Sequence, residues 1–265
     1  MDEIDRLLSR VKQDCFGMLP LAVYRRIYET AATLSGGTLV EIGTSQGAAT
    51  IAMALGAKSA GIEFRIYSAD EFVTGSRPVG GSAAEKLEIV RRGYQAFGVA
   101  DSVENVTGGS AALPPAADLP KIALLLIDAD GLIDRDLALL HGRLEPNAPV
   151  IVDDVDEKVY FSIRKGRPVV DQKHRLTNLI IERFIAAELL VADEPSGQTG
   201  WYRKGPVSAS PEEIERLALP AYRKLVMTSL DGAGTNLRWW AWRYISARSP
   251  GLVRAWRRVR GKSPD

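Results

Sequence analysis

The sequence predicts an α/β fold, a doubly wound sheet covered by helices on both faces. Three observations predict it: short apolar or β-branched runs alternate with helix-length segments, those runs lack the period-two alternation of a half-exposed sheet, and the first ends in a glycine turn that opens a helix. Residues 3–13 and 20–34 lead as two helices, with Leu7, Val11, Leu21, Tyr24, Ile27 and Tyr28 at helical spacing and Pro20 at an early helix position. Gly36 and Gly37 stop that pattern. Thr38 to Ile42 then reads as a strand, and a helix follows from Gly47. Further strands fall near Phe64–Ser68, Ser102–Val106, Ile122–Ile127 and Pro149–Val152, with helices near Ala83–Phe97 and Ile133–Leu144 between them. Asp154 to His174 reads as a loop and Leu176 to Ala187 as a helix. LLVADEPSGQTGWYRKG reads as two short strands joined by a turn, a hairpin that finishes the sheet. Ser210, Pro211 and Glu213 form a capping-box pattern that starts another helix. The plan is therefore N-terminal helices over 1–35, the sheet domain over 36–205 and a helical tail over 206–265.

Composition bounds the function. With 265 residues, 46% hydrophobic and 25% charged, the chain is neither disordered nor a polytopic membrane protein. Its 34 Lys and Arg balance 33 Asp and Glu, a net charge of +1 that argues against a nucleic-acid partner. Cys15 is the single cysteine, which excludes an intramolecular disulfide and a cysteine-rich zinc site and fits a reducing compartment. MDEIDRLLSRVKQD lacks the basic start and apolar core of a signal peptide, so a cytoplasmic location is expected. No apolar run reaches the ~20 residues of a membrane-spanning helix.

The first chemistry-bearing motif is LVEIGTSQGAAT. Gly43, Thr44, Ser45 and Gly47 make a turn that lets a ligand approach the backbone, and the helix beyond offers N–H donors. A dinucleotide fingerprint would carry a second glycine where Ser45 stands, and the Glu41 carboxylate would repel a pyrophosphate. A cationic ligand with an ammonium and a sulfonium, such as S-adenosylmethionine, suits Glu41 better. Asp70, with Glu71 beside it, ends the next strand, where a carboxylate accepts from ribose hydroxyls. Gly109 and Ser110 follow the third strand, at the expected adenine edge.

The second motif is a set of acids. IALLLIDAD ends in Asp128 and Asp130, and APVIVDDVD ends in Asp153, Asp154 and Asp156. Adjacent parallel strands bring these carboxylates to one edge, where they repel unless a cation joins them; oxygen ligands favour Mg²⁺, Ca²⁺ or Mn²⁺. The competing reading is that some of these acids cap helices or pair with Lys158, Arg164, Lys165 and Arg167.

Through EIGTSQG, the acid at Asp70 and the terminal hairpin, residues 36–204 resemble the class I S-adenosylmethionine-dependent methyltransferases. The resemblance implies a Rossmann-like seven-stranded sheet with its last strand antiparallel, and cofactor contacts at Glu41, Gly43, Gly47 and Asp70. IDAD with VDD resembles the metal-dependent O-methyltransferases of the caffeoyl-CoA and catechol type and of the macrocin type. By that match Asp128, Asp153 and Asp154 hold a divalent cation, Mg²⁺ or another, with Asp128 also facing the cofactor. The implied reaction is direct methyl transfer to a hydroxyl of a small molecule, a sugar or natural product. One departure stands out: Gly131 occupies the place where the catechol and caffeoyl-CoA types carry a lysine. Asp130 and His174 are the candidate replacements as base, while His141 has no assigned role.

Four of the five tryptophans, 239, 240, 242 and 256, lie in the tail, and residues 233–265 hold eight Lys and Arg against one acid. Packing or homodimerisation is the preferred reading of that composition, ahead of peripheral membrane contact and of nucleic acid. Two other functions share the fold class: a nicotinamide-dependent reductase, and a non-catalytic scaffold that assembles through the tail.

Overall fold

A computed structural model describes residues 2–72, 82–115, 118–164, 167–195 and 197–228. The tail residues 233–265, including the four tryptophans and the packing or dimer contact expected of them, lie outside the described residues. The chain divides into two compact units, 1–221 and 222–265. Of the second, residues 222–228 are described and are helical.

In chain order the elements are helices α1 (Glu3–Asp14) and α2 (Leu21–Ala32), strand β1 (Gly37–Ile42), α3 (Ala48–Ser59), β2 (Phe64–Asp70), α4 (Ala83–Ala96), β3 (Val103–Thr107), β4 (Ile122–Ile127), α5 (Ile133–Leu140) and β5 (Pro149–Val152). They continue with β6 (Tyr160–Arg164), β7 (Arg167–Asp171), α6 (Lys173–Ala186), β8 (Leu190–Ala192), β9 (Gly200–Lys204) and α7 (Pro211–Thr228). Seven strands form one sheet in the order β3-β2-β1-β4-β5-β9-β8. The first five are mutually parallel, β9 runs antiparallel to β5, and β8 antiparallel to β9. This is the Rossmann-like doubly wound seven-stranded sheet with its terminal antiparallel hairpin.

The register explains why the site sits where it does. Ile42 pairs with both Ala69 and Ile127, and Ile127 with Val152. The carboxyl ends of β2, β1, β4 and β5 therefore finish level, and the order reverses between β1 and β4, the crevice where open α/β sheets bind ligands. β4 is buried along its whole length, which accounts for its uninterrupted IALLLI. α3 is buried nearly all round because it lies between the sheet and α2. The N-terminal helices share that core: Leu8, Val11, Val23 and Ile27 cluster with Ile51 and Met53.

Three boundaries differ from the sequence expectation. The loop expected over 154–174 contains a two-stranded ribbon, β6 with β7, paired from Tyr160↔Asp171 to Arg164↔Arg167. The charged and Gly/Pro residues of the KGRP sequence separate two runs short enough to pass for loop. α6 starts at Lys173, so His174 is in a helical first turn and not in the preceding loop. α5 ends at Leu140 and tightens into a 3₁₀ turn over His141–Arg143, where His141 is buried against the Leu189 carbonyl at 3.1 Å. The capping box of α7 forms as the sequence predicts, Glu213 N–H donating to Ser210 Oγ at 3.3 Å and Ser210 N–H to Glu213 Oε2 at 2.8 Å.

α2 approaches α3 tightly at Gly56, where an added Cβ would lie 2.1 Å from the Tyr28 carbonyl oxygen. Gly56→Ala forces two backbones apart and is expected to cost about 1–3 kcal/mol, read as a lower urea midpoint at unchanged slope.

Candidate active site

The glycine turn is fixed by backbone proximity. Gly43 has φ of +97°, and a Cβ on it would lie 2.0 Å from the Asp128 carbonyl oxygen, so only glycine lets the ends of β1 and β4 meet. Gly47 has φ of +82° and packs on the Tyr94 ring, which a Cβ would meet at 2.7 Å. Between them Ser45 adopts φ of +52° and donates its N–H to Asp70 Oδ2 at 2.8 Å. Asp70 Oδ1 accepts from Phe72 N–H at 2.7 Å. Asp70 thus ties the turn to β2, and it stays partly exposed with lone pairs to spare. Glu71 is exposed beside it.

Glu41 lies beneath this turn at 1% exposure. Its Oε2 accepts from Ser68 Oγ at 2.9 Å and from the Thr50 hydroxyl, while Oε1 is buried with no hydrogen-bond partner among the described residues. Burial pushes its carboxyl up to about 7, against the pull of those two hydroxyls. The Thr44 hydroxyl turns inward to Ser68 Oγ at 2.5 Å, so the side chain supports Glu41's network and only the backbone faces outward. A cleft open to solvent is lined by Glu41, Gly43, Ser45 and Asp128, together with Phe16 and Met18. An orphaned carboxylate oxygen at such a cleft fits a ligand ammonium. At the far side Gly109 faces open space, whereas Ser110 is buried and donates to Asp136 Oδ1 at 2.6 Å.

The acids assemble next to this cleft. Asp128 follows β4 and Asp153 and Asp154 follow β5, and one oxygen from each lies within 4.8 Å of the others. Thr199, just before β9, donates to Asp153 Oδ1 at 2.6 Å. Asp154 takes φ of +58°, which turns its side chain out of the strand direction. Burial, with Asp153 nearby, pushes the Asp128 carboxyl up to about 8, and burial also raises Asp153. Three hard oxygen donors at this spacing fit a cation such as Mg²⁺ or Mn²⁺.

Two neighbours of the triad come from α6. Lys173 Nζ lies 2.5 Å from Asp154 Oδ2 and 3.9 Å from Asp128 Oδ1; burial opposes its charge, but the surrounding carboxylates prevail and raise its pKa. His174 Nε2 lies 3.0 Å from Asp154 Oδ1, and its ring packs on Tyr160 with centroids 4.4 Å apart. Asp130 is not brought into this group. It is exposed, accepts from Leu132 N–H at 3.1 Å and pairs with Arg135 at 3.3 Å. Asp156 acts as a turn acid, accepting from Lys158 N–H at 2.9 Å and from the Tyr160 hydroxyl at 2.8 Å. Sequence reasoning missed Lys173, Thr199, Ser68 and the Phe16 and Met18 lining. A lysine opening a helix beside a clustered acid set was the one signal present for any of them.

Residues 40–155 match a family model described as a methyltransferase domain. The chain carries a methyltransferase domain. Solved structures share its fold: cofactor-bound Rv0187 from MTB (TM-score 0.54, 20% identity, 77% of this chain and 90% of that one) and the O-methyltransferase NovP (0.52, 18%, 70% and 80%). TomG from Streptomyces achromogenes, an O-methyltransferase of tomaymycin synthesis solved in complex with SAM, is similar at 0.50, 15%, 78% and 91%. No curated protein sequence matches the chain. The class I S-adenosylmethionine-dependent methyltransferase resemblance read from EIGTSQG and Asp70 therefore stands, and an enzyme of methyltransferase type takes the place of the reductase and scaffold alternatives. No helix among the described residues is long and apolar enough to cross a membrane.

Because Glu41 is more readily protonated in the folded chain than at its ordinary 4.5, its stabilising contribution is complete below pH 4.5 and is lost as pH rises through about 7. Urea unfolding at pH 4.5 and pH 8 is expected to show the wild type losing roughly 3 kcal/mol more than Glu41→Gln over that interval.

Proposed function

We propose that this protein is an S-adenosylmethionine-dependent and divalent-cation-dependent O-methyltransferase acting on a hydroxyl of a small molecule, a sugar or a natural-product scaffold. The observation that carries the reading is the triad Asp128, Asp153 and Asp154, gathered within 4.8 Å beside the cleft that Glu41, with its buried unpartnered oxygen, helps to line. NovP and TomG, described as O-methyltransferases, support the oxygen acceptor.

S-Adenosylmethionine supplies the methyl group on a sulfonium, and the divalent cation supplies Lewis acidity to the acceptor oxygen. The chain's own residues do the rest. Glu41 Oε1 receives the cofactor ammonium, and its other oxygen is held by Thr50 and Ser68 so that it cannot turn away. Gly43 and Gly47 keep the turn free of side chains, and Asp70 presents its remaining lone pairs to the ribose, with Glu71, Gly109 and Ser110 around the nucleoside. Asp128, Asp153 and Asp154 would hold the cation, and Thr199, donating to Asp153 Oδ1, fixes that carboxylate. Alignment of donor and acceptor across one sheet edge is itself a large part of the rate gain. Of the two base candidates, His174 touches the triad and Asp130 does not, so the hydroxyl proton is assigned to His174. The acceptor is a small molecule rather than nucleic acid, the location is the cytoplasm, and a homodimer assembled through residues 233–265 belongs to the same proposal.

The test is methyl transfer from labelled S-adenosylmethionine to a pool of hydroxylated acceptors, with Mg²⁺ and with EDTA, in wild type and Asp153→Ala. Chelation and the substitution are each expected to lower transfer by at least about a hundredfold, the scale of a lost Lewis acid. Transfer unaffected by both would reject the cation.

A further inference from the structure

Gly131 and Lys173 are complementary. Gly131 has φ of +84°, and a Cβ placed on it would lie 2.7 Å from Lys173 Cγ and 3.3 Å from Thr177 Oγ1. The lysine stem therefore runs directly over the glycine, through space that a side chain at 131 would occupy. Its origin is fixed as well, because Lys173 N–H donates to Asp171 Oδ1 at 2.9 Å at the start of α6. The ammonium ends 2.5 Å from Asp154 and 3.9 Å from Asp128, two of the three acids proposed to bind a cation, on a side chain that is 21% exposed.

We propose that Lys173 is a tethered cation that occupies the divalent ion's place among Asp128, Asp153 and Asp154, so that ammonium and metal are alternative occupants and metal loading displaces the lysine side chain. The inference rests on the cation reading above. Its physical basis is charge. Three carboxylates this close repel one another strongly in a partly buried site, and a single ammonium reduces that repulsion without a bound metal. A dication sits 2.0–2.6 Å from its carboxylate oxygens, about the separation at which the ammonium already contacts Asp154. Ammonium and dication cannot fill the same position between those oxygens, and the ion with twice the charge gains more from them, so the ammonium is the one displaced. Lysine suits the part because its long flexible stem lets the head swing into water. The lysine thus keeps the triad assembled when empty and lowers its apparent metal affinity.

Mn²⁺ titration of the full-length protein, followed by electron paramagnetic resonance, tests this with Lys173→Met, which keeps the stem and removes the charge. The variant is expected to bind Mn²⁺ at least about tenfold more tightly than wild type, as expected when a like charge within ~4 Å is removed. Equal or weaker binding by a folded variant, with the wild type still binding, overturns the tethered cation and leaves the cation reading intact. If neither protein binds Mn²⁺, both readings fail together. A second measurement needs no variant: amine labelling of the wild type, mapped by peptide mass spectrometry, is expected to modify Lys173 several-fold faster with saturating Mg²⁺ than with EDTA. Unchanged labelling also overturns the proposal.

Discussion

The site depends on one backbone contact that leaves no room for a side chain. Gly43, at the end of β1, backs onto the Asp128 carbonyl at the end of β4, and a Cβ there would come within 2.0 Å of it. That contact lies at the point where the strand order reverses, with Gly43 N–H donating to Ala69 O at 2.8 Å and Asp128 N–H to Ile42 O at 2.8 Å. It joins the cleft above Glu41 to the acids after β4 and β5. Any side chain at 43 would spread these strands and separate the two halves of the chemistry.

Charge is the second constraint, and it follows from the first. Bringing the strand ends together places Glu41, Asp128, Asp153 and Asp154 in one partly dehydrated region, and burial raises the pKa of the first three. Such a group is costly without positive charge, because desolvation and mutual repulsion act in the same direction. Lys173 is the lysine the structure brings to it, with His174 alongside. The hydroxyls of Thr50, Ser68 and Thr199 satisfy single oxygens but carry no charge, and Glu41 Oε1 is left without a partner. Open valence at the cleft and crowded valence at the triad are what a cationic methyl donor and a hard cation would each relieve.

The acids show how position along a strand differs from position in space. Asp128 and Asp130 stand two residues apart, yet one faces the triad and the other pairs with Arg135 in solvent. Asp153 and Asp154 are neighbours that both reach the triad, because Asp154 takes a left-handed backbone at φ of +58°. Asp156 belongs to its own turn. The acid-rich edge therefore divides into a gathered set, Asp128, Asp153 and Asp154, and acids held in local turns and ion pairs, Asp130 and Asp156.

The sequence by itself determined the doubly wound sheet, the place of the glycine turn and the edge on which the acids gather. Those features follow from local periodicity, from glycine's freedom at positive φ and from the rule that parallel strands end on one side, all of which are written in consecutive residues. Tertiary structure alone decided which acids meet, that Thr44 turns inward, that residues 160–164 pair with 167–171 as a ribbon, and that Lys173 crosses Gly131 to reach Asp154. The lysine and the glycine are 42 positions apart, and their fit depends on how α6 is placed beside the end of β4. No spacing along the chain encodes such a contact, because it arises only when separate elements pack and exclude each other's volume.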